Sequence, residues 1–207
     1  MIDPTIVDAG PALNFFSINK ERLLFDAIGK IAVPEAVASE ITRRSAGDAR
    51  FRAAGEVLAK LSRTDWLRVL SDDETPQLAA AVLRIDTLPM AERMRRSKDL
   101  GEIMVLAHAA VQADAGRDVV VLIDDGGGVR LAASEAARLA RLRSQGRKVG
   151  TLSLMGTLDV LERAAGRKYL PDRDAMRRMY SQLRGCDDGL VDIKQTGLLS
   201  RRVWSED

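Results

Sequence analysis

The chain has 207 residues, 46% of them hydrophobic and only 4% aromatic, with a net charge of +2. That excludes a disordered chain or a polycation, and points to one sizeable α/β domain with an aliphatic core, or such a core with an appendage. With one cysteine (Cys186) and one histidine (His108), there can be no intrachain disulfide, thiolate zinc cluster or two-histidine metal site, so any metal would need oxygen ligands.

No apolar run reaches the ~18–20 residues of a membrane span, and no basic region followed by an apolar stretch opens the chain, so a soluble cytoplasmic protein is expected. Charge is uneven: from Arg130 onward there are 16 Lys and Arg against 10 Asp and Glu, a balance of +6 that leaves −4 for the rest. The basic third is either a set of solvated helix faces or a surface for phosphates.

In chain order, Pro4 to Asp8 reads as a short buried strand ending in an acid, followed by a turn at Ala9-Gly10-Pro11. Leu13, Phe15 and Phe16, then Leu23, Leu24 and Ile28, predict two helical pieces. Ile31 to Val33 is a second strand, and Pro34 opens a helix carrying Glu35, Val37, Glu40 and Ile41. Residues 48–61 are helical by spacing, and Trp66 to Leu70 is a strand. Ser71 to Glu74 has the spacing of a capping box for a helix through Leu78, Val82 and Leu83. The charged stretch 89–98 is a loop or short helix.

Residues 99–115 predict a strong helix, and Asp118 to Ile123 is the clearest buried strand. It ends in Asp124-Asp125 and a Gly126 to Gly128 turn. A basic helix (134–143), a strand (149–154), a helix (158–165) and two helices after Pro171 and Gly189 complete the chain. Alternating strands and helices imply a parallel sheet covered on both faces.

Ligands of open α/β sheets sit beyond the carboxyl ends of the strands. Asp8 and Asp124-Asp125 end two strands, and Glu40 and Glu102 ride on helices near the same edge. Two carboxylates 4 Å apart repel by about 4 kcal/mol at an effective dielectric of 20, so such a cluster takes up protons or binds a cation. Carboxylate oxygens without histidine suit Mg²⁺ or Mn²⁺, which can promote phosphodiester hydrolysis. Singly, each acid also fits a plainer role: Asp8 as a turn residue, Glu102 as a helix cap after Asp99, Glu40 as an exposed helix residue, Asp124-Asp125 as turn chemistry.

Beside the acids, Arg138, Arg141 and Lys148 are candidate RNA-phosphate contacts, with a solvated face as the plain alternative. Thr157 falls at the end of the last strand. Trp66, Trp204 and His108 read as packing or structural residues. The triple glycine lacks the Lys-Ser/Thr of a P-loop.

Val7-Asp8-Ala9-Gly10-Pro11-Ala12-Leu13, followed by Ile31 to Ile41 with Pro34 and Glu40, resembles the opening of PIN-domain proteins, nearest the VapC-like branch. Leu100-Gly101-Glu102 leading to Leu106-Ala107, Val121 to Asp125 with Arg130 and Ala132, and Gly156-Thr157-Leu158-Asp159-Val160-Leu161 are similar to further segments of that family, in its order. The resemblance implies a PIN-like, Rossmann-like parallel sheet sandwiched by helices over residues 1–165, with a helical C-terminal extension over 166–207 packed on the core or a partner. It also implies Mg²⁺- or Mn²⁺-dependent cleavage of RNA by Asp8, Glu40, Glu102 and Asp124, with Asp125 beside them. A toxin held by a small antitoxin, and a homodimer, are the partners it suggests.

Three departures stand out: Gly10 replaces the Ser or Thr common two residues after the first acid, and the segments 72–98 and 126–155 are long. They leave a second reading open, a non-catalytic RNA- or protein-binding module. A phosphoacceptor receiver domain ranks last, because its paired acids follow the first strand and a Lys follows the last.

Overall fold

Five strands of three or four residues form one all-parallel sheet in the order β3-β2-β1-β4-β5. The computed structural model describes residues 4–187, 189–200 and 202–204. The chain runs β1 (Thr5–Val7), α1 (Ala9–Ser17), α2 (Glu21–Ile28), β2 (Ile31–Pro34), α3 (Glu35–Gly47), a 3₁₀ turn (Ala49–Phe51), α4 (Arg52–Leu61), β3 (Leu67–Leu70) and α5 (Pro76–Asp86). It continues through α6 (Met90–Arg93), α7 (Leu100–Asp114), β4 (Val119–Leu122), α8 (Gly126–Ser144), β5 (Leu152–Met155), α9 (Thr157–Ala164) and α10 (Arg173–Cys186).

The central strands β1 and β2 are buried at every residue and β4 at all but one, which is why they read as unbroken apolar runs. Edge strands β3 and β5 expose their middle residues. One apolar cluster joins the sheet to its helices, and Met176, Met179, Tyr180 and Leu183 of α10 belong to it, as do Leu198 and Trp204. A satellite cluster packs Leu78, Ala81, Val82 and Met90 against Ile103, Met104, Ala107 and Ala110 of α7. The long segment 72–98 thus forms a helical layer over α7. Buried Arg93 ties its end down, pairing with Asp86 at 2.8 Å and donating to the carbonyls of Arg96 and Lys98.

Four local expectations need correction. Ala9-Gly10-Pro11 is no turn but the first turn of α1, where the missing proline N–H costs no helical bond. The three glycines after Asp125 likewise open α8, capped by Asp125, whose Oδ1 accepts the Gly127 N–H at 2.6 Å. The helix after β3 starts at Pro76 with Thr75 as its cap, not at Ser71. After Gly189 there is no α-helix among the described residues, only 3₁₀ turns (Ile193–Gln195, Leu198–Ser200, Arg202–Trp204). There the Asp192 and Thr196 side chains accept the backbone N–H groups of Lys194 and Leu198, so each turn restarts instead of propagating.

Among the described residues, no helix is long and apolar enough to cross a membrane.

Candidate functional site

The strand order reverses between β1 and β4, which pair with Ile6 opposite Val121 and Val7 opposite Leu122. Such a reversal opens a crevice at the carboxyl ends of the two strands, because their crossovers leave in opposite directions. Asp8 follows directly on Val7, and its backbone N–H donates to the Leu122 carbonyl at 3.0 Å. Asp124 lies two residues past Leu122. The two strand-end acids therefore face each other across the switch point.

Helices α3 and α7 bring in the others. Gly101 is the point of closest approach: a β-carbon there would stand 3.3 Å from Asp8 Oδ1, from Glu40 Oε2 and from Val37 Cγ2. Asp8 and Glu40 thus converge over a residue without a side chain. Glu102 reaches toward the start of α8, where β-carbons at Gly127 and Gly128 would lie 3.4 and 3.2 Å from its Oε2. The glycines after Asp125 are what let a neighbouring carboxylate approach this helix end.

The electrostatics register that crowding. Burial pushes the Asp8 carboxyl from an ordinary 3.8 up to about 6, against the backbone N–H groups of Ala9 and Gly10 and with help from the charges of Glu40 and Asp124. Glu102 rises to about 7 through burial and then the charges of Asp125, Asp8 and Asp99, and it shares a hydrogen bond with Asp125. Asp124 opens to solvent at the pocket mouth, yet the protein around its carboxyl raises its pKa, and the nearby charges of Asp187 and Asp159 raise it further. Thr157 works the other way, holding the ionised form with its N–H at 2.7 Å and its hydroxyl at 2.5 Å.

These acids line a cavity of about 720 Å³. One wall is the loop Ser97-Lys98-Asp99, and the opposite wall is the chain around Asp187, Gly189, Leu190 and Val191. The latter is tethered by buried Asn14, which donates to Asp187 Oδ2 at 2.7 Å, and by the Tyr180 hydroxyl, which donates to the Val191 carbonyl at 2.8 Å. Arg43, Arg44 and Lys98 stand on the rim.

Asp8, Glu40, Glu102, Asp124 and Asp125 are therefore all brought to one cavity. Arg138, Arg141 and Lys148 are not. α8 starts at the cavity and runs away from it, so at 1.5 Å per residue Arg138 and Arg141 lie ~18 and ~22 Å along the helix. Arg138 is also engaged, bonding Glu135 and Asp114 at 2.8 Å each. Lys148 packs its carbonyl beside Gly116, at the opposite edge of the sheet. The cations at the site are instead Arg43, Arg44 and Lys98; the first two are signalled in the sequence only as residues three and four positions after Glu40, on the same helix face. Asp187 carries no local signal, since it arrives from a distant segment.

His108 has the structural place expected: its Nε2 lies 2.8 Å from Asp72 Oδ1, and Asp72 Oδ2 accepts the Ala36 N–H at 2.7 Å, fastening the start of α3. Of the two tryptophans expected to be packing residues, Trp204 is buried, and Trp66 packs by stacking on Phe25 while staying 47% exposed.

Among the described residues, no group of three or more His, Cys, Asp or Glu side chains is placed so that it could hold a metal ion as it stands. The donor set is nonetheless of one chemical kind, carboxylate oxygens in an open cleft, two of them raised to about 6 and about 7 by desolvation and mutual repulsion. Carboxylate oxygens are the donor type that hard divalent cations take, and such ions often keep several of their waters.

No family model, no curated protein and no solved structure matches the chain.

Proposed function

We propose that this chain is a Mg²⁺- or Mn²⁺-dependent endoribonuclease. The observation that carries the reading is the meeting of Asp8, Glu40, Glu102 and Asp124 in one cleft at the switch point of a parallel sheet. The order of PIN-like segments along the chain supports it, and so does the cationic rim of Arg43, Arg44 and Lys98, which gives a polyanion a way past the acids.

In this reading Asp8, Glu40, Glu102 and Asp124 hold the cation, with Asp125 beside them. When bound, the ion supplies charge neutralisation and Lewis acidity at a phosphodiester. Thr157 fixes the Asp124 carboxylate, and Arg43 and Lys98 bind phosphates flanking the scissile bond. Glu102, whose carboxyl is pushed up to about 7, can hold and release a proton near neutral pH.

A role as the toxin of a toxin–antitoxin pair belongs to the same proposal. It rests on the family resemblance, and a small antitoxin and a second copy of the chain would be the partners.

A second reading, a PIN-like module that binds RNA or protein without cutting, draws on Gly10, which brings no hydroxyl to Asp8. The test separates the two. Purified protein should cleave single-stranded RNA with Mg²⁺ or Mn²⁺ and not with EDTA, and Asp8→Asn should stop it. Metal-independent cleavage, or cleavage unchanged in the variant, would sink the nuclease reading; RNA binding without cleavage would favour the module.

A further inference from the structure

The carboxylate cavity is larger than a cation needs. A divalent ion with its waters fills about 200 Å³, taking roughly 30 Å³ for each water. The cavity measures about 720 Å³, so more than half of it is left for another occupant. Its lining includes three aliphatic residues: Leu158, which follows Thr157 at the start of α9, and Leu190 and Val191 beyond α10. Leu158 and Leu190 are partly buried against the main apolar cluster, whereas Val191 stays 48% exposed.

Val191 is held in place by its surroundings. The buried Tyr180 hydroxyl donates to its carbonyl at 2.8 Å, and buried Asn14 donates to Asp187 Oδ2 at 2.7 Å on the same wall. The acids beside it are engaged. Asp187 also accepts the Gly189 N–H at 2.9 Å, and Asp159, next to Leu158, accepts the Gly156 N–H at 2.7 Å. Asp192 accepts the Lys194 N–H at 2.9 Å and pairs with Arg184 at 4.0 Å. An aliphatic residue left exposed on the lining of a polar cavity, on a fixed backbone, is a contact surface for an apolar part of a ligand.

We propose that Val191, with Leu158 and Leu190, forms a base subsite, on which the unpaired base of a nucleotide beside the scissile phosphodiester rests. This rests on the ribonuclease reading and adds which wall takes the base. The lining separates the parts of a nucleotide. Lys98 stands on the wall across from Val191 and meets phosphate, and the base is the flat, least polar part left for the aliphatic side. Neither a bare phosphate nor a hydrated cation gains from an aliphatic contact, because each would lose water there without a hydrogen bond in return. An apolar contact tolerates any base but needs one free of its partner, and base contacts to RNA are made to unpaired, splayed-out bases. The subsite therefore selects single strands over duplex, and not one base over another.

The test couples the side chain to the base. The full chain carrying Asp8→Asn, in Mg²⁺, is titrated by fluorescence anisotropy with three end-labelled probes: a short single-stranded RNA, the same sugar–phosphate chain lacking its bases, and the corresponding duplex. Val191→Ser should weaken binding of the intact strand about fivefold, the worth of a few tens of Å² of apolar contact, and leave the baseless chain unchanged. Val191→Leu should keep the parent affinities, and the duplex should bind more weakly than the single strand. Val191 is exposed, so neither variant disturbs the core. An intact strand indifferent to Val191→Ser, an equal loss for the baseless chain, or duplex binding as tight as the single strand would overturn the subsite. A chain that binds no RNA at all overturns the ribonuclease reading and the subsite with it, whereas RNA bound without that coupling overturns the subsite alone.

Discussion

Thr157 holds Asp124 from two directions, its backbone N–H donating to Oδ1 at 2.7 Å and its hydroxyl to Oδ2 at 2.5 Å. Thr157 is fully buried, so this grip orients the one strand-end acid that opens to solvent. Removing the hydroxyl takes the side-chain donor from Asp124 Oδ2 and frees the carboxylate to rotate. Thr157→Val should lower cation affinity or cleavage by roughly 10–100-fold, the usual effect of losing a partner that orients a metal ligand. Thr157→Ser should restore most of it. Calorimetric Mn²⁺ titration beside an RNA cleavage assay reads both, and a Thr157→Val variant with unchanged affinity and rate would contradict the role.

Asp8 is a destabilised carboxylate, 7% exposed, with a pKa of about 6. Asp8→Asn keeps the shape and can still accept the Ala9 and Gly10 N–H groups, but it removes a repelling charge. The variant should lose cleavage and yet melt higher than the parent in EDTA at pH 8. A lower melting temperature would mean that the charge is compensated by contacts other than those described.

The same repulsion sets a pH dependence. Folded-state values raised to about 6 for Asp8 and about 7 for Glu102, from 3.8 and 4.5, mean that the folded chain binds more protons than the unfolded one between those limits. The stability these groups contribute is therefore fully present below pH ~4 and lost as pH rises through ~6–7. Metal-free protein should melt higher at pH 5 than at pH 8 as far as these groups decide it, and saturating Mg²⁺ should flatten that slope by stabilising the ionised forms. Thermal melts across pH with EDTA or Mg²⁺ test this; a Mg²⁺-insensitive slope would deny the cluster its cation.

Gly101 is the hinge point of the acid pair. A methyl group there, 3.3 Å from Asp8 Oδ1 and Glu40 Oε2, forces the two carboxylates apart by a few tenths of an ångström. Gly101→Ala gains helix propensity of about 0.8–1.0 kcal/mol but crowds the cleft. Mn²⁺ affinity should fall while the melting temperature changes little; unchanged affinity would show that Asp8 and Glu40 do not share an ion.

Much of this arrangement was legible before any tertiary structure. Apolar runs at Thr5–Val7, Ile31–Pro34 and Val119–Leu122 read as buried strands because a strand covered on both faces leaves no polar alternation. Asp8 and Asp124 could be placed for the same reason, each being the first charge beyond such a run. Local cues were misleading where a helix start resembles a turn. Gly10-Pro11 and Gly126 to Gly128 carry turn residues that an α-helix also tolerates in its first turn, where backbone N–H groups have no helical partner. The capping box at Ser71 failed because Asp72 is drawn to the Ala36 N–H and His108, contacts 36 residues away in each direction.

The carboxylate set itself divides along the same line. The sequence by itself determined which acids end strands, and that oxygen donors alone were on offer, because composition and unbroken apolar runs are local properties. Only the tertiary structure decided that Glu40 and Glu102 meet Asp8 across Gly101 and the α8 glycines. It also decided that Asp187 closes one wall from the far end of the chain, that Arg43 and Lys98 replace Arg138, Arg141 and Lys148 at the rim, and that Trp66 lies open. Each of these depends on which helix packs against which strand end, and that is set by burying apolar faces over long sequence separations, not by the residues around each functional group.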